Sequence, residues 1–308
     1  MNTQESSTAC WQGHEGPLLA KQGEYTAISC QRCGFPHAIP IPDPEVLAAA
    51  YRETYFRDQK PAYMTDGKED QEWARLCQTD LLEIFERVLG PGRRRLLDIG
   101  SGPGFFLKLA QDRGWQELGI DVSRQACAYA RNLGVHVEEG LYDAATAPHL
   151  GKFDVVHLDK LMEHLPHPQD TLELIHEQLD PGGIVCINAP NDFSAIQKAA
   201  CKAADLHAWW VAPPFHINYF SFESMEGLLA RHGFDPVERT TSFPMELFLL
   251  LGENYIREPS IGRGLHNRRK RADLAFEAAG VNEARQAIYR ALASVGAGRD
   301  VIVVARKR

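Results

Sequence analysis

Three groups of residues in this chain could do chemistry. The first is Asp98-Ile99-Gly100-Ser101-Gly102-Pro103-Gly104, preceded by apolar Leu96-Leu97 and followed by a helical pattern from Phe105 to Arg113. A strand, a tight glycine turn and a helix start are expected. Glycines there let a ligand approach the backbone and the free N–H groups of the helix N-terminus. Leu118 to Asp121 reads as a second short strand ending in an acid. An acid at that place can take both hydroxyls of a ribose, so a nucleoside-containing cofactor is expected. The second group is Cys10-x3-His14 with Cys30-x-x-Cys33-Gly34. Three thiolates and one imidazole would form a closed structural zinc site, with His37 a rival for the fourth place. The third is the aromatic run from Trp209 to Phe222, which holds His216, Asn218 and Tyr219. Aromatic walls with a few oriented polar groups suit a substrate pocket. His216 is the preferred general base, Tyr219 or Asn218 would orient the acceptor, and His164 is a second candidate. The competing reading makes both histidines partners of loop backbone.

A dinucleotide site would want a third glycine at Phe105. Here the spacing is G-x-G-x-G, with Asp98 two residues ahead of the first glycine. This resembles motif I of class I S-adenosylmethionine-dependent methyltransferases. Further stretches fit that family: Phe153-Asp154-Val155-Val156, Leu161-Met162-Glu163-His164-Leu165 and Leu179-Asp180-Pro181-Gly182-Gly183. The resemblance covers roughly 94–240 and resumes in the last strand. It implies a Rossmann-like α/β sheet of seven strands, the seventh antiparallel and inserted between the fifth and sixth. It also implies S-adenosylmethionine as cofactor, framed by Asp98, Gly100, Ser101, Gly102, Gly104, Asp121, Val122, Leu141, Tyr142 and Asp159. The zinc motif and the His-aromatic region are similar to bacterial sugar and small-molecule methyltransferases. A small-molecule acceptor is therefore expected, such as a sugar, a nucleotide-sugar or another anionic intermediate. The C-methylating members carry a further domain after this fold, which puts that activity in doubt here. Two rivals remain: a ribosomal RNA base methyltransferase with an N-terminal zinc module, and a zinc-bearing, non-catalytic interaction protein.

These residues need elements to hold them. Residues 1–42 form the zinc-binding segment, 43–90 a helical linker with helices over 44–52 and 71–89, and 91–308 the cofactor fold. Apolar runs predict strands near 95–99, 117–121, 135–138, 153–158, 184–189, 235–241 and 299–305. Helices are expected over 105–113, 123–133, 168–179 and 222–232. The stretch 242–297 is an insertion before the last strand. Its basic cluster, Arg263, His266, Arg268, Arg269, Lys270 and Arg271, is either a solvated face or a clamp for a substrate anion. Tyr51, Tyr55 and Tyr63 either cover the cofactor or pack the linker.

The chain has 308 residues, 44% hydrophobic, with a net charge of −8. That balance argues against general nucleic-acid binding, which needs a basic footprint. The N-terminal residues show no signal-peptide pattern, and the most apolar stretch is too short for a bilayer, so a cytoplasmic protein is expected. Seven scattered cysteines do not suggest a disulfide framework.

Overall fold

The structure, a computed structural model, describes residues 8–45, 47 and 68–308. Tyr51, Tyr55, Tyr63 and most of the helix expected over 44–52 lie outside the described residues. Two sheets carry the architecture. Strands β1 (Thr8–Trp11), β2 (His14–Gln22), β3 (Tyr25–Ser29) and β4 (Pro36–Ile39) form an antiparallel ribbon in chain order. The larger sheet comprises β5 (Arg95–Ile99), β6 (Gln116–Asp121), β7 (Val137–Glu139), β8 (Phe153–Asp159), β9 (Leu179–Pro190), β10 (Phe234–Thr240) and β11 (Asp300–Lys307). Its order is β10-β11-β9-β8-β5-β6-β7. β11 lies antiparallel between β9 and β10, as the resemblance implies, and the others pair in parallel. β9 starts earlier than its apolar run suggests, because Leu179 already pairs with Phe153 ahead of a bulge.

The central strands are buried on both faces, so their consecutive residues alternate between two cores. Leu96, Val155, Ile184 and Ile302 pack with helices α1 (Lys68–Leu89), α2 (Phe105–Asp112) and α3 (Arg124–Asn132). Leu97, Val156, Val185 and Val303 pack on the other side with α4 (Pro168–Gln178) and α6 (Phe222–Arg231). Ile28, Phe35 and Ile39 of the ribbon belong to that second core. Each fully buried aliphatic side chain contributes about 1.5–3 kcal/mol. The ribbon thus shares its apolar core with the sheet. Helix α5 (Ala195–Ala204) starts in a capping box of Ser194 and Gln197. The stretch 242–297 folds into α7 (Glu246–Leu250), α8 (Pro259–Ala278) and α9 (Asn282–Ser294). Trp73 Nε1 of α1 donates to Asp273 of α8 at 2.7 Å, which brings this insertion over the N-terminal part of α1.

The glycine turn is held by close packing. Gly104 starts α2 at φ 80°, where a Cβ would meet Ala130 Cβ at 2.9 Å. On β6, a Cβ at Gly119 would lie 2.5 Å from Ser101 Oγ and 2.6 Å from Leu107 Cδ1. Gly119→Ala is therefore expected to destabilise the chain by about 1–3 kcal/mol, as overpacking does. Urea unfolding measures this, and an unchanged midpoint would show that the turn has room to give.

Candidate functional site

A cavity of about 780 Å³ opens at the carboxyl ends of β5, β6 and β8. Gly100 and Gly102 form one wall, Asp121 and Val122 the next, and Leu141 and Tyr142 the far side. Asp159 and His164 close it from the loop after β8. Asp121 pins the turn: its Oδ2 accepts from Gly102 N at 2.8 Å and its Oδ1 from Ser123 N at 2.7 Å. Burial raises the pKa of this carboxyl, and the two backbone donors pull it back. Each oxygen retains acceptor capacity for a further donor. The Tyr142 hydroxyl, on the cavity wall, is buried with no partner among the described residues. Two apolar walls, a backbone-lined turn and an acid beside it suit a nucleoside with a short tail.

Asp98, Ser101 and Gly104 do not line this cavity. Asp98 lies beneath it, 4% exposed, with Oδ1 2.7 Å from His157 Nδ1 on β8. Burial opposes a charge on His157, but Asp98 outweighs it and holds the imidazole above its ordinary pKa. Asp98 therefore ties β5 to β8 and supports the turn from below. Ser101 packs over Gly119, and Gly104 starts α2. His157 was missed in the sequence because it sits inside an apolar strand.

A second cavity of about 650 Å³ lies next to the first. Both are lined by Asp159 and Lys160, at the carboxyl end of β8. Lys160 has a left-handed backbone, φ 53°, at this junction. Its ammonium donates to Asp300 and, at 2.9 Å, to Asn188. Asn188 in turn donates to Asp159 at 2.7 Å. The remaining walls come from α1, α8, α9 and the adjoining ends of β10 and β11, and they carry many charged and polar side chains. Sequence reasoning assigned no chamber here, since its walls come from segments about 200 positions apart, as Trp73 and Asp273 do.

The aromatic segment sits elsewhere. His216 and Tyr219 line neither cavity. Tyr219 is fully buried, and its hydroxyl donates to the His216 carbonyl at 2.8 Å. It packs with Ala27, Ala38 and Trp210 between the ribbon and the loop. The His216 ring stands edge-on to His164, 4.9 Å between centroids. His164 does line the first cavity, with Nδ1 held 2.8 Å from the Phe215 carbonyl. The structure thus keeps His216 and Tyr219 out of both cavities and leaves His164 at the edge of the first.

The metal-ligand candidates regroup. His14, Cys30, Cys33 and His37 place one ligand atom each within 4.8 Å of all the others. Cys10 is outside this set and exposed. Strand parity explains the exchange: Trp11 pairs with His14 and Cys10 with Glu15, so Cys10 and His14 point to opposite faces of the hairpin. Cys33 Sγ lies 3.4 Å from His14 Nδ1, and His37 Nε2 lies 3.1 Å from it. Such edges suit a tetrahedron with bonds of about 2.0–2.3 Å. His37 Nδ1–H donates to the Ala38 carbonyl at 3.0 Å, which leaves Nε2 free to ligate. Burial lowers His37 to about 4, so the ring is neutral. Burial and the Cys30 thiol raise Cys33 to about 11.

This geometry defines a class, and comparison with known proteins agrees. The chain matches the methyltransferase-domain family over residues 69–239, more than half its length, and belongs to that family. It is similar to the ubiquinone biosynthesis O-methyltransferase of Azoarcus sp. (strain BH72), 32% identical over 36% of this chain and 50% of that protein. A protein of the same name from Ruegeria pomeroyi is 30% identical over 50% of this chain and 67% of its own length. The chain spans about half the length of most of these relatives. In fold it is similar to the magnesium protoporphyrin IX methyltransferase of Synechocystis PCC 6803 with bound SAH. That structure has a TM-score of 0.52 and 13% identity, over 86% of this chain and 100% of the other.

Glu163 supplies a pH test of the site. It is 1% exposed and its Oε2 has no partner among the described residues. Burial pushes its pKa up to about 8, against the pull of Lys160. An unfolded glutamate ionises near 4.3, so above that pH the unfolded chain holds fewer protons than the folded one. Stability should fall as pH rises toward the folded value. Glu163→Gln is expected to flatten that fall. Urea unfolding at intervals between about pH 5 and pH 9 reads the slope. The same slope in both proteins would mean that this carboxyl titrates normally.

Proposed function

We propose that this chain transfers the methyl group of S-adenosylmethionine to a hydroxyl oxygen of a small-molecule acceptor. The observation that carries the reading is the pair of cavities meeting at Asp159 and Lys160. The first has the shape and donors for the cofactor, and the second is a polar chamber for the acceptor. The named relatives are O-methyltransferases, which favours oxygen as the acceptor atom, and they do not single out a sugar. When bound, S-adenosylmethionine supplies an electrophilic methyl on a sulfonium.

Asp121 would accept the ribose hydroxyls, and the backbone of Gly100 and Gly102 would lie against the cofactor. Asp159 stands at the boundary, exposed to both cavities and steadied by the Asn188 amide. In this reading Asp159 takes the acceptor's proton in preference to His216, which lines neither cavity. Lys160, fixed by Asp300 and Asn188, would keep Asp159 and the acceptor in register. Much of the rate enhancement then comes from positioning. We also propose that one Zn²⁺ sits among His14, Cys30, Cys33 and His37. It would hold β1–β2 to the turn before β4 and would take no part in the reaction.

Asp121→Ala is expected to weaken binding of the cofactor and its demethylated product, each lost charge-assisted bond being worth about 1.5–3 kcal/mol. Calorimetric titration measures it, and unchanged affinity would remove the assignment. Asp159→Asn should lower turnover by roughly 10²–10⁴-fold at nearly constant cofactor KM. A collapse of cofactor affinity instead would make Asp159 a cofactor contact. For the metal, elemental analysis should find about one zinc per chain. Cys30→Ser and His37→Ala should lose it and Cys10→Ser keep it; retention in His37→Ala would return the fourth place to another residue.

A further inference from the structure

The second cavity holds an unusual cation. Most of its charged lining is already neutralised. Asp70 takes Arg263 and Lys270, Asp80 takes Arg285, and Asp300 takes Lys160. Arg299 is paired with Glu246 at 2.6 Å. Asp273 has no cation within ion-pair distance among the described residues; it accepts from Trp73 Nε1 and from the Tyr289 hydroxyl, and with Asp300 it acts on Arg269 only at longer range. Arg269 has no carboxylate within ion-pair distance among the described residues. Its Nε donates to His266 Nδ1 at 2.9 Å, and Nη1 makes a long contact of 3.4 Å to the Phe243 carbonyl. Its Nη2 donates to no group among the described residues. The guanidinium carbon lies 4.8 Å from the centre of the Trp73 ring. His266 meets the same ring edge-on, with centroids 5.5 Å apart.

These contacts fix the guanidinium without neutralising it. Stacking on an indole holds a charged fork in one plane. Because Nε is spent on His266, the end bearing Nη1 and Nη2 is left to bind a planar or tetrahedral oxyanion in bidentate fashion. His266 accepts from Arg269 through Nδ1, so its proton sits on Nε2 and makes a second donor. Burial and the neighbouring Arg269 and Lys270 lower this histidine to about 4, which keeps that tautomer neutral. The other cations of the cluster are engaged: Arg268 faces Glu253, and Arg263 and Lys270 face Asp70.

We infer that Arg269, assisted by His266, binds a carboxylate or phosphoryl group carried by the methyl acceptor. The inference rests on reading the second cavity as the acceptor chamber. The anion would dock near α8, and the reacting hydroxyl would point toward Asp159 and Lys160.

The test uses the full chain saturated with S-adenosylhomocysteine. Benzoate, inorganic phosphate and the neutral benzyl alcohol are titrated separately, with tryptophan fluorescence as readout, because Trp73 lies against Arg269. At least one anion should bind tenfold or more tightly than benzyl alcohol. Benzoate or phosphate as the winner identifies the group. In Arg269→Gln that preference should vanish, while benzyl alcohol and S-adenosylhomocysteine bind as in the wild type. Arg269→Lys keeps the charge in place if the glutamine variant fails to fold, and should weaken the preferred anion several-fold through loss of the fork. Equal binding of anion and alcohol in the wild type, or a preference that survives in the variants, overturns the inference. Failure of the wild type to bind S-adenosylhomocysteine, measured beforehand by calorimetry, would instead sink the methyl-transfer reading.

Discussion

The loop leaving β8 must have its backbone satisfied, and much of the molecule depends on how that is done. This loop runs from Asp159 to Leu165, borders both cavities, and has only a single 3₁₀ turn, Met162–His164, to pair its own groups. Lys160 N donates to the Asn188 carbonyl on β9, and Ile217 and Asn218 of the segment 217–219 supply further partners. Ile217 N and Asn218 N both donate to the Glu163 carbonyl, at 2.8 and 3.0 Å. The Asn218 amide donates to the carbonyls of Met162 and Leu165. An unpaired buried carbonyl costs about 1–3 kcal/mol, so one asparagine closes a large deficit. The same segment hangs on β4: Ala38 N donates to Ile217 O, and Tyr219 N to Pro36 O. The chain of support therefore runs from the His–Cys cluster through β4 to the loop that shapes the cofactor cavity.

That arrangement gives the aromatic run a different job from the one its composition suggests. His216, Asn218 and Tyr219 looked like a reacting trio because polar groups among aromatics often line pockets. In the structure the Asn218 and Tyr219 side chains serve backbone. Asn218 bonds two carbonyls, the Tyr219 hydroxyl bonds the carbonyl three residues back, and the His216 ring meets that of His164 edge-on. Side-chain type could not separate these roles, since both need a donor held in an apolar frame.

What could be read from the sequence was local. The glycine turn, the acid ending β6 and the alternation of strands with helices depend on neighbours within about thirty residues, and each has a pattern of its own; the order of strands comes from the family resemblance. The two cysteines of the C-x-x-C are likewise adjacent in sequence and adjacent in space. Cys10 failed where spacing gave way to strand parity, because one residue of offset across a hairpin reverses the face. His37 has no spacing signature with Cys30, and only the pairing of β3 with β4 brings it back to the cluster. The second cavity was illegible for the same reason on a larger scale, since α1 and α8 meet from distant parts of the chain.

The two cavities differ in electrostatic character, and that difference bears on how methyl transfer could be controlled. The first combines apolar side chains and the backbone of the glycine turn with several acids, Asp121 beside the turn and Asp143, Asp159, Asp170, Glu173 and Glu177 around it. The second is walled in large part by ion pairs, Lys160 with Asp300, Lys270 with Asp70 and Arg285 with Asp80, while the Arg269 guanidinium has no ion-pair partner among the described residues. Buried ion pairs add little net stability compared with apolar packing. Their retention around a chamber makes more sense as insulation: the paired charges are tied to protein partners and do not compete for the ligand. A ligand with one anionic end would then find a single preferred orientation. Orientation is what an in-line transfer requires, because the acceptor atom must approach the methyl along one axis. The Lys160–Asp300–Asn188–Asp159 network spans the boundary between the cavities and joins β8, β9 and β11. Placing the polar boundary on three central strands gives it the stiffness of the sheet, which a boundary built on loops alone would lack.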